Sequence, residues 1–219
     1  MPQNETVVLV HGLWMHGAAM LLMKHRLARR GYRVTTYSYP AIRLDLDENA
    51  QRLAQYCDAL PGARIHFVAH SLGCLVALRA APLLPRSRLG RLVLLGPPLQ
   101  DSYSARRVQR LPGGRSIIGR SIGQWLASPR SSGFESLDAG VIAGTGRVGL
   151  GRFFAHALPK PNDGVVSVEE TRVPGVRDHI VLAVSHSVML VASAVVHQVC
   201  AFLGEGKFDR ARERAASVN

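Results

Sequence analysis

The chain has 219 residues, 47% of them hydrophobic, with 21 Gly and 12 Pro scattered as punctuation. That length and composition fit one domain with a substantial core and exclude a disordered or fibrous chain. The formal charge of +12 comes from 24 Arg and 3 Lys against 15 acidic residues; no nucleic-acid module or stripe of interleaved aromatics accompanies it, so nucleic acid is not the expected partner. In chain order, residues 6–10 form a β-branched run that stops at His11-Gly12. A helix-like stretch follows over 17–30, with Gly31 placed to cap its end, and 32–39 reads as a strand closed by Pro40. Asp45 with Glu48 three residues on has capping-box spacing. Ala50, Leu53, Ala54, Cys57 and Leu60 then recur at helical spacing until Pro61-Gly62.

Residues 65–69 are the next strand, 72–84 the next helix and 89–95 the fourth strand. This alternation predicts a mostly parallel sheet of about six strands with helices on both faces. The rhythm breaks over 97–138, an insertion after the fourth strand that mixes Pro, Gly, Ser and Arg around short apolar pieces. Its length suits a lid or substrate-binding segment, or a helix covering the sheet. Strand-like runs return at 141–145 and 180–184. The last apolar stretch, 187–203, is 17 residues broken by Ser193, His197 and Gln198. It is short for a span of about 18–20 apolar residues and reads as a buried terminal helix.

The pentapeptide Ala69-His70-Ser71-Leu72-Gly73 sits between a buried strand and an apolar helix. A serine hydroxyl is a poor nucleophile unless it stands clear of the fold and has a base within reach. A sharp strand-to-helix turn gives that exposure, and the residues two before and two after the serine must be small to allow it; Ala69 and Gly73 are. The helix start adds positive dipole near the reacting oxygen. Upstream, His11-Gly12-Leu13-Trp14 ends the first strand. An oxyanion needs two fixed N–H donors, expected from the backbone of Leu72 and of Leu13. His11, inside that turn, reads as a structural hydrogen-bonder.

The chain order expected for such a turn is serine, acid, histidine. Of His156, His179, His186 and His197, only His186 falls just after a strand end and before a helix, at the sheet edge that carries Ser71; His179 is the fallback. Asp163, in a loop after the fifth strand with Gly164 beside it, is the expected acid. Asp138 precedes that strand and Asp178 adjoins His179.

With Ser71, Asp163 and His186 in this order the chain resembles the α/β-hydrolase superfamily over about 200 residues, and small bacterial lipases and esterases most of all. Leu95-Gly96-Pro97-Pro98, Asn162-Asp163-Gly164-Val165-Val166-Ser167 and the tract from Asp178 to His186 resemble a group of bacterial lipase-like hydrolases. In that group Asn-Gln-Gly-Ser usually follows the Pro pair, where this chain has Leu99-Gln100-Asp101-Ser102. The resemblance implies an α/β-hydrolase fold and a carboxylic ester hydrolase acting through an acyl-enzyme, with no metal or organic cofactor. Thioesterase or acyltransferase chemistry on the same triad, and a non-catalytic binding protein on this scaffold, stay open.

Trp14, Met15 and parts of the insertion are expected to form an apolar acyl site. The run Arg106, Arg107, Arg110, Arg115 and Arg120 suits peripheral contact with an anionic membrane surface. Cys57, Cys74 and Cys200 are odd in number and widely spaced, fitting neither a disulfide framework nor a metal site. Free thiols and no visible signal peptide point to a cytoplasmic location.

Overall fold

The computed structural model describes residues 4–128, 134–146 and 158–211. Six strands form one sheet: β1 (Glu5–Val10), β2 (Arg33–Tyr37), β3 (Arg64–His70), β4 (Leu89–Leu95), β5 (Ala139–Gly144) and β6 (Asp178–Leu182). Their order is β2-β1-β3-β4-β5-β6, and every neighbouring pair is parallel. Among the described residues the helices are α1 (Leu21–Ala28), α2 (Leu46–Asp58), α3 (Leu72–Ala80), α4 (Tyr103–Gln109), α5 (Gly114–Ala127) and α6 (Ser193–Glu205).

Strand periodicity of two divides the core into two layers. Val8, Val10, Phe67, Ala69, Leu92 and Leu94 pack against α2, α3 and the end of α5. Val7, Leu9, Val68, Val93 and Leu95 pack against α1 and α6, where Met23, Leu27, Val199 and Phe202 are fully buried. The central strands are therefore apolar on both faces, as parallel strands covered twice must be.

Several local rules appear as read. Asp45 Oδ1 accepts from Glu48 N at 2.9 Å and Asp45 N donates back to Glu48 Oε2 at 2.9 Å, a complete capping box. Pro82 lacks an N–H, so α3 stops at Ala80 and a 3-10 turn, Ala81–Leu83, replaces the predicted extension to 84. The stretch over 17–30 divides likewise into a 3-10 turn, Gly17–Met20, and α1. Strand β6 begins and ends two residues earlier than expected, because it pairs with β5 from Gly140↔Asp178 to Gly144↔Leu182. The last helix begins at Ser193 rather than 187: extended Ala192 separates it from the 3-10 turn Val188–Leu190.

The insertion holds α4 and α5. Gly119, at φ 74° and ψ 178°, breaks α5 into two pieces. A Cβ there would lie 2.5 Å from Ile42 Cα, so only glycine allows this approach. Beyond the break, Ile122, Trp125 and Leu126 are buried in the same core layer as α2 and α3, and Leu46 N at the start of α2 donates to Gln124 Oε1 at 2.7 Å, so the second piece of α5 packs on α2. Residues 129–133 of the insertion lie outside the described residues.

Candidate active site

Strand β1 lies between β2 and β3, so the chain leaves it in opposite directions along the sheet. In open parallel sheets the crevice at the carboxyl end of such a switch point binds ligands. Ser71 directly follows β3 and the His11–Trp14 turn follows β1, on the two sides of that crevice.

Ser71 has φ 53° and ψ −122°, a conformation non-glycine residues avoid at a cost of about 1–3 kcal/mol. Its surroundings hold it there. Ser71 N donates to Leu95 O at 2.9 Å and Cys74 Sγ to Ala69 O at 3.1 Å. A Cβ on Gly73 would lie 2.4 Å from His11 O and 2.5 Å from Val10 O. The crowding that demands glycine at 73 thus comes from the main chain at the end of β1, rather than from residue 69. Ala69 itself is wholly buried in the core.

In the adjoining turn, His11 Nδ1–H donates to Gly12 O at 2.8 Å, and its ring stacks on Tyr39 with centroids 4.5 Å apart. The Tyr39 hydroxyl donates to His11 O at 2.9 Å. Burial lowers the pKa of His11, so it stays neutral and shapes the turn, as its sequence position suggested. A Cβ on Gly12 would sit 3.1 Å from Ser71 Cβ, which brings the turn against the serine. Among the described residues neither Leu13 N–H nor Leu72 N–H has an acceptor. Trp14 has φ 57°, is 61% exposed, and donates through Nε1 to Ile117 O of the insertion at 2.9 Å. Met15 is half-buried and packs on the α1–α6 layer.

His186, four residues beyond β6, is buried. Its Nδ1 and Asp163 Oδ2 are 2.7 Å apart, and His186 N donates to Asp163 O at 3.0 Å. Asp163 is also buried, and its Oδ1 accepts from Val165 N at 2.9 Å and Val166 N at 2.7 Å. With Oδ2 facing a ring N–H, both carboxylate oxygens are occupied. Gly164, at φ 99°, makes the turn that presents them. Gly96, at φ 55° just past β4, touches the pair: a Cβ there would lie 3.0 Å from His186 Nδ1 and 3.1 Å from Asp163 Oδ2. Since Leu95 O holds Ser71 N, the end of β4 joins the serine turn to the His186–Asp163 pair. Among the described residues Nε2 of His186 makes no hydrogen bond, to Ser71 Oγ or any other group; contacts of this kind commonly tighten only when substrate binds.

The alternatives lie elsewhere. His179, near the start of β6, has Nε2 within 2.8 Å of Thr171 Oγ1; burial foremost, then Arg172, lowers its pKa to about 4. Asp178 pairs with Arg210, and Asp138 with Arg91 and Arg177. His156 lies outside the described residues.

Two residues at the site escape a reading of spacing alone. His70 Nε2–H donates to His186 O at 3.0 Å, and the two rings stand 4.5 Å apart between centroids. Among the described residues its buried Nδ1 has no partner, and burial holds its pKa well below the ordinary imidazole value. Glu170 fastens the Asp163 loop to the base of the insertion. Oε2 accepts from Ser167 N at 2.7 Å and Ser167 Oγ at 2.8 Å, while Oε1 accepts from Tyr103 N at 2.7 Å. Ser167 and Glu170 have S-x-x-E spacing, the signal that would have marked Glu170 as a structural carboxylate.

A family model described as the alpha/beta hydrolase family matches residues 7–198. The chain belongs to that family. The structure is similar to the mature lipase BlEst2 of Bacillus licheniformis, with TM-score 0.71, 18% identity, and 94% of this chain and 93% of that one covered. It is similar to the metagenomic carboxyl esterase MGS0156, with TM-score 0.64, 20% identity, and coverage of 85% and 65%. A third likeness is to the carboxylesterase CesB of Bacillus subtilis, with TM-score 0.55, 14% identity, and coverage of 93% and 84%. At these identities the likeness is one of fold. No curated protein matches by sequence. Among the described residues no group of three or more His, Cys, Asp or Glu side chains is arranged to hold a metal ion.

Proposed function

We propose that this hydrolase cleaves carboxylic esters through an acyl-enzyme on Ser71. Ser71 Oγ attacks the acyl carbon as its proton passes to Nε2 of His186, and the imidazolium returns that proton to the leaving alkoxide. Asp163 holds Nδ1 of His186 as a donor, which fixes the tautomer and stabilises the imidazolium. The N–H groups of Leu13 and Leu72 receive the oxyanion. Water, deprotonated by His186, then attacks the acyl carbon, and the imidazolium returns that proton to Ser71 Oγ as the acid leaves. Trp14 and Met15 border the acyl site.

The observation that carries this reading is a strained, partly exposed serine at the same sheet edge as a buried imidazole bonded to a carboxylate through one nitrogen. Ser71→Ala is expected to abolish turnover of p-nitrophenyl esters while the circular dichroism spectrum is unchanged; undiminished turnover would refute it. A parallel panel of thioesters and alternative acyl acceptors separates esterase from thioesterase and acyltransferase chemistry. A non-catalytic scaffold would turn over none of them and would resist fluorophosphonate.

A further inference from the structure

Among the described residues, apolar exposure is concentrated toward the carboxyl end of the sheet. Of the ten exposed large hydrophobic side chains among the described residues, nine lie between the carboxyl end of a strand and the first turn of a helix that follows it. Trp14 and Leu21 follow β1, Ile42 follows β2, Leu111 and Ile117 follow β4, and Val188 follows β6. The tenth, Leu83, lies beyond α3, in the 3-10 turn that leads back to β4. Scattered exposed apolar residues need no explanation, but a set gathered around one rim does.

Charge accompanies them. Residues 97–128 carry five arginines and one acidic residue, Asp101, which pairs with Arg106. Arg120 pairs with Asp45 and Glu48. Arg107, Arg110 and Arg115 are exposed and meet no carboxylate among the described residues; Arg43, beside Ile42, is the same. The insertion is also fastened down: Trp14 Nε1 donates to Ile117 O, and Arg120 N to Ile42 O at 2.9 Å. An apolar rim interleaved with unpaired arginines suits the boundary between anionic headgroups and acyl chains, where apolar side chains insert and guanidinium groups meet phosphate. Among the described residues no helix is long and apolar enough to cross a membrane, so such contact is peripheral.

We propose that the rim around Ser71 docks on an anionic lipid surface, with Arg107, Arg110 and Arg115 meeting headgroups and Leu21, Leu111 and Ile117 entering the acyl region. Docking in this pose turns the Ser71 crevice toward the membrane and makes a membrane-borne ester the substrate class. That last step rests on the esterase reading; the docking itself does not.

The test is sedimentation with vesicles of equal parts phosphatidylglycerol and phosphatidylcholine, using the Ser71→Ala protein so that lipid is not consumed. Binding is expected at low salt, declining steeply as salt rises, and far weaker on pure phosphatidylcholine. Replacing Arg107, Arg110 and Arg115 together by Gln should weaken it at least about tenfold, and so should Leu21→Asp with Leu111→Asp. In the wild-type background both sets should leave turnover of soluble p-nitrophenyl acetate unchanged. No vesicle binding, equal binding to zwitterionic vesicles, or displacement from anionic vesicles by small amounts of duplex DNA would each overturn the proposal. A chain that hydrolyses soluble esters yet fails to sediment loses only the docking; one that sediments yet hydrolyses nothing loses only the esterase reading.

Discussion

At the amino end of the sheet, His66 is buried with Nε2 at 3.0 Å from Glu5 Oε2, while its Nδ1 accepts the N–H of Arg91 at 2.8 Å. At the carboxyl end, His186 is buried with Nδ1 at 2.7 Å from Asp163 Oδ2, and its Nε2 has no hydrogen bond among the described residues. Both are histidine–carboxylate pairs in one sheet. In the first, both ring nitrogens are consumed, and the pair braces the shift in register between β3 and β4 at Ile65/Phe67. In the second, one nitrogen is fixed and the other is open among the described residues, as the proposed base requires. Backbone strain follows the same division: among the described residues the two non-glycine residues with positive φ, Trp14 and Ser71, both lie at the carboxyl end. A histidine beside an acid is therefore not a site in itself. What distinguishes His186 is a spare nitrogen at the edge where strain is stored.

Asp163→Asn breaks that contrast most severely. It keeps the size of the side chain but favours the wrong imidazole tautomer, and kcat is expected to fall by about 10³–10⁴-fold. His66→Gln, the matching change at the other end, should lower the Tm and leave kcat unchanged. Comparable kcat losses in both would show that the two pairs do not differ in kind.

Gly73→Ala comes next. Its Cβ would meet His11 O at 2.4 Å, so the serine turn must shift, at about 1–3 kcal/mol in urea unfolding and with loss of activity. Ala69→Gly, which only removes a buried methyl, should retain activity. Glu170→Ala leaves Tyr103 N and Ser167 N without their acceptor and is expected to cost about 1–3 kcal/mol. Its sharper mark is faster proteolysis of the 97–128 segment, which Glu170 ties down.

The effect with the least bearing on turnover concerns pH. The pKa of His179 is about 4 in the fold against an ordinary 6.5, lowered chiefly by burial. Below pH 6.5 the unfolded chain binds a proton that the fold refuses. The associated stability is present above 6.5 and is lost as pH falls toward 4. His11, His66 and His70 are lowered by burial as well and add with the same sign. The Tm is expected to drop across this window, and less so in His179→Gln; an identical drop in that variant would contradict the assignment.

Much of this was legible in the residues. Six strands, the capping box at Asp45 and the strand-to-helix turn at Ser71 follow from periodicity and turn chemistry. The order serine, aspartate, histidine selected Asp163 and His186, and the structure brings those two into contact. The insertion after the fourth strand was legible but its helices were not, because Gly119 bends α5 and interrupts its apolar spacing just where Ile42 approaches. The boundary of α6 was hidden because an extended residue, Ala192, carries no signal that distinguishes it from a helical alanine. Gly96, His70 and the reach of Glu170 to Tyr103 depend on which segments meet in space, which spacing along one chain does not encode.

The most direct test of the central claim is reaction with a fluorophosphonate followed by peptide mass spectrometry. A single adduct on the peptide containing Ser71, suppressed in His186→Ala, is the predicted result. An adduct on another serine, or none in a protein that still hydrolyses p-nitrophenyl esters, would contradict it.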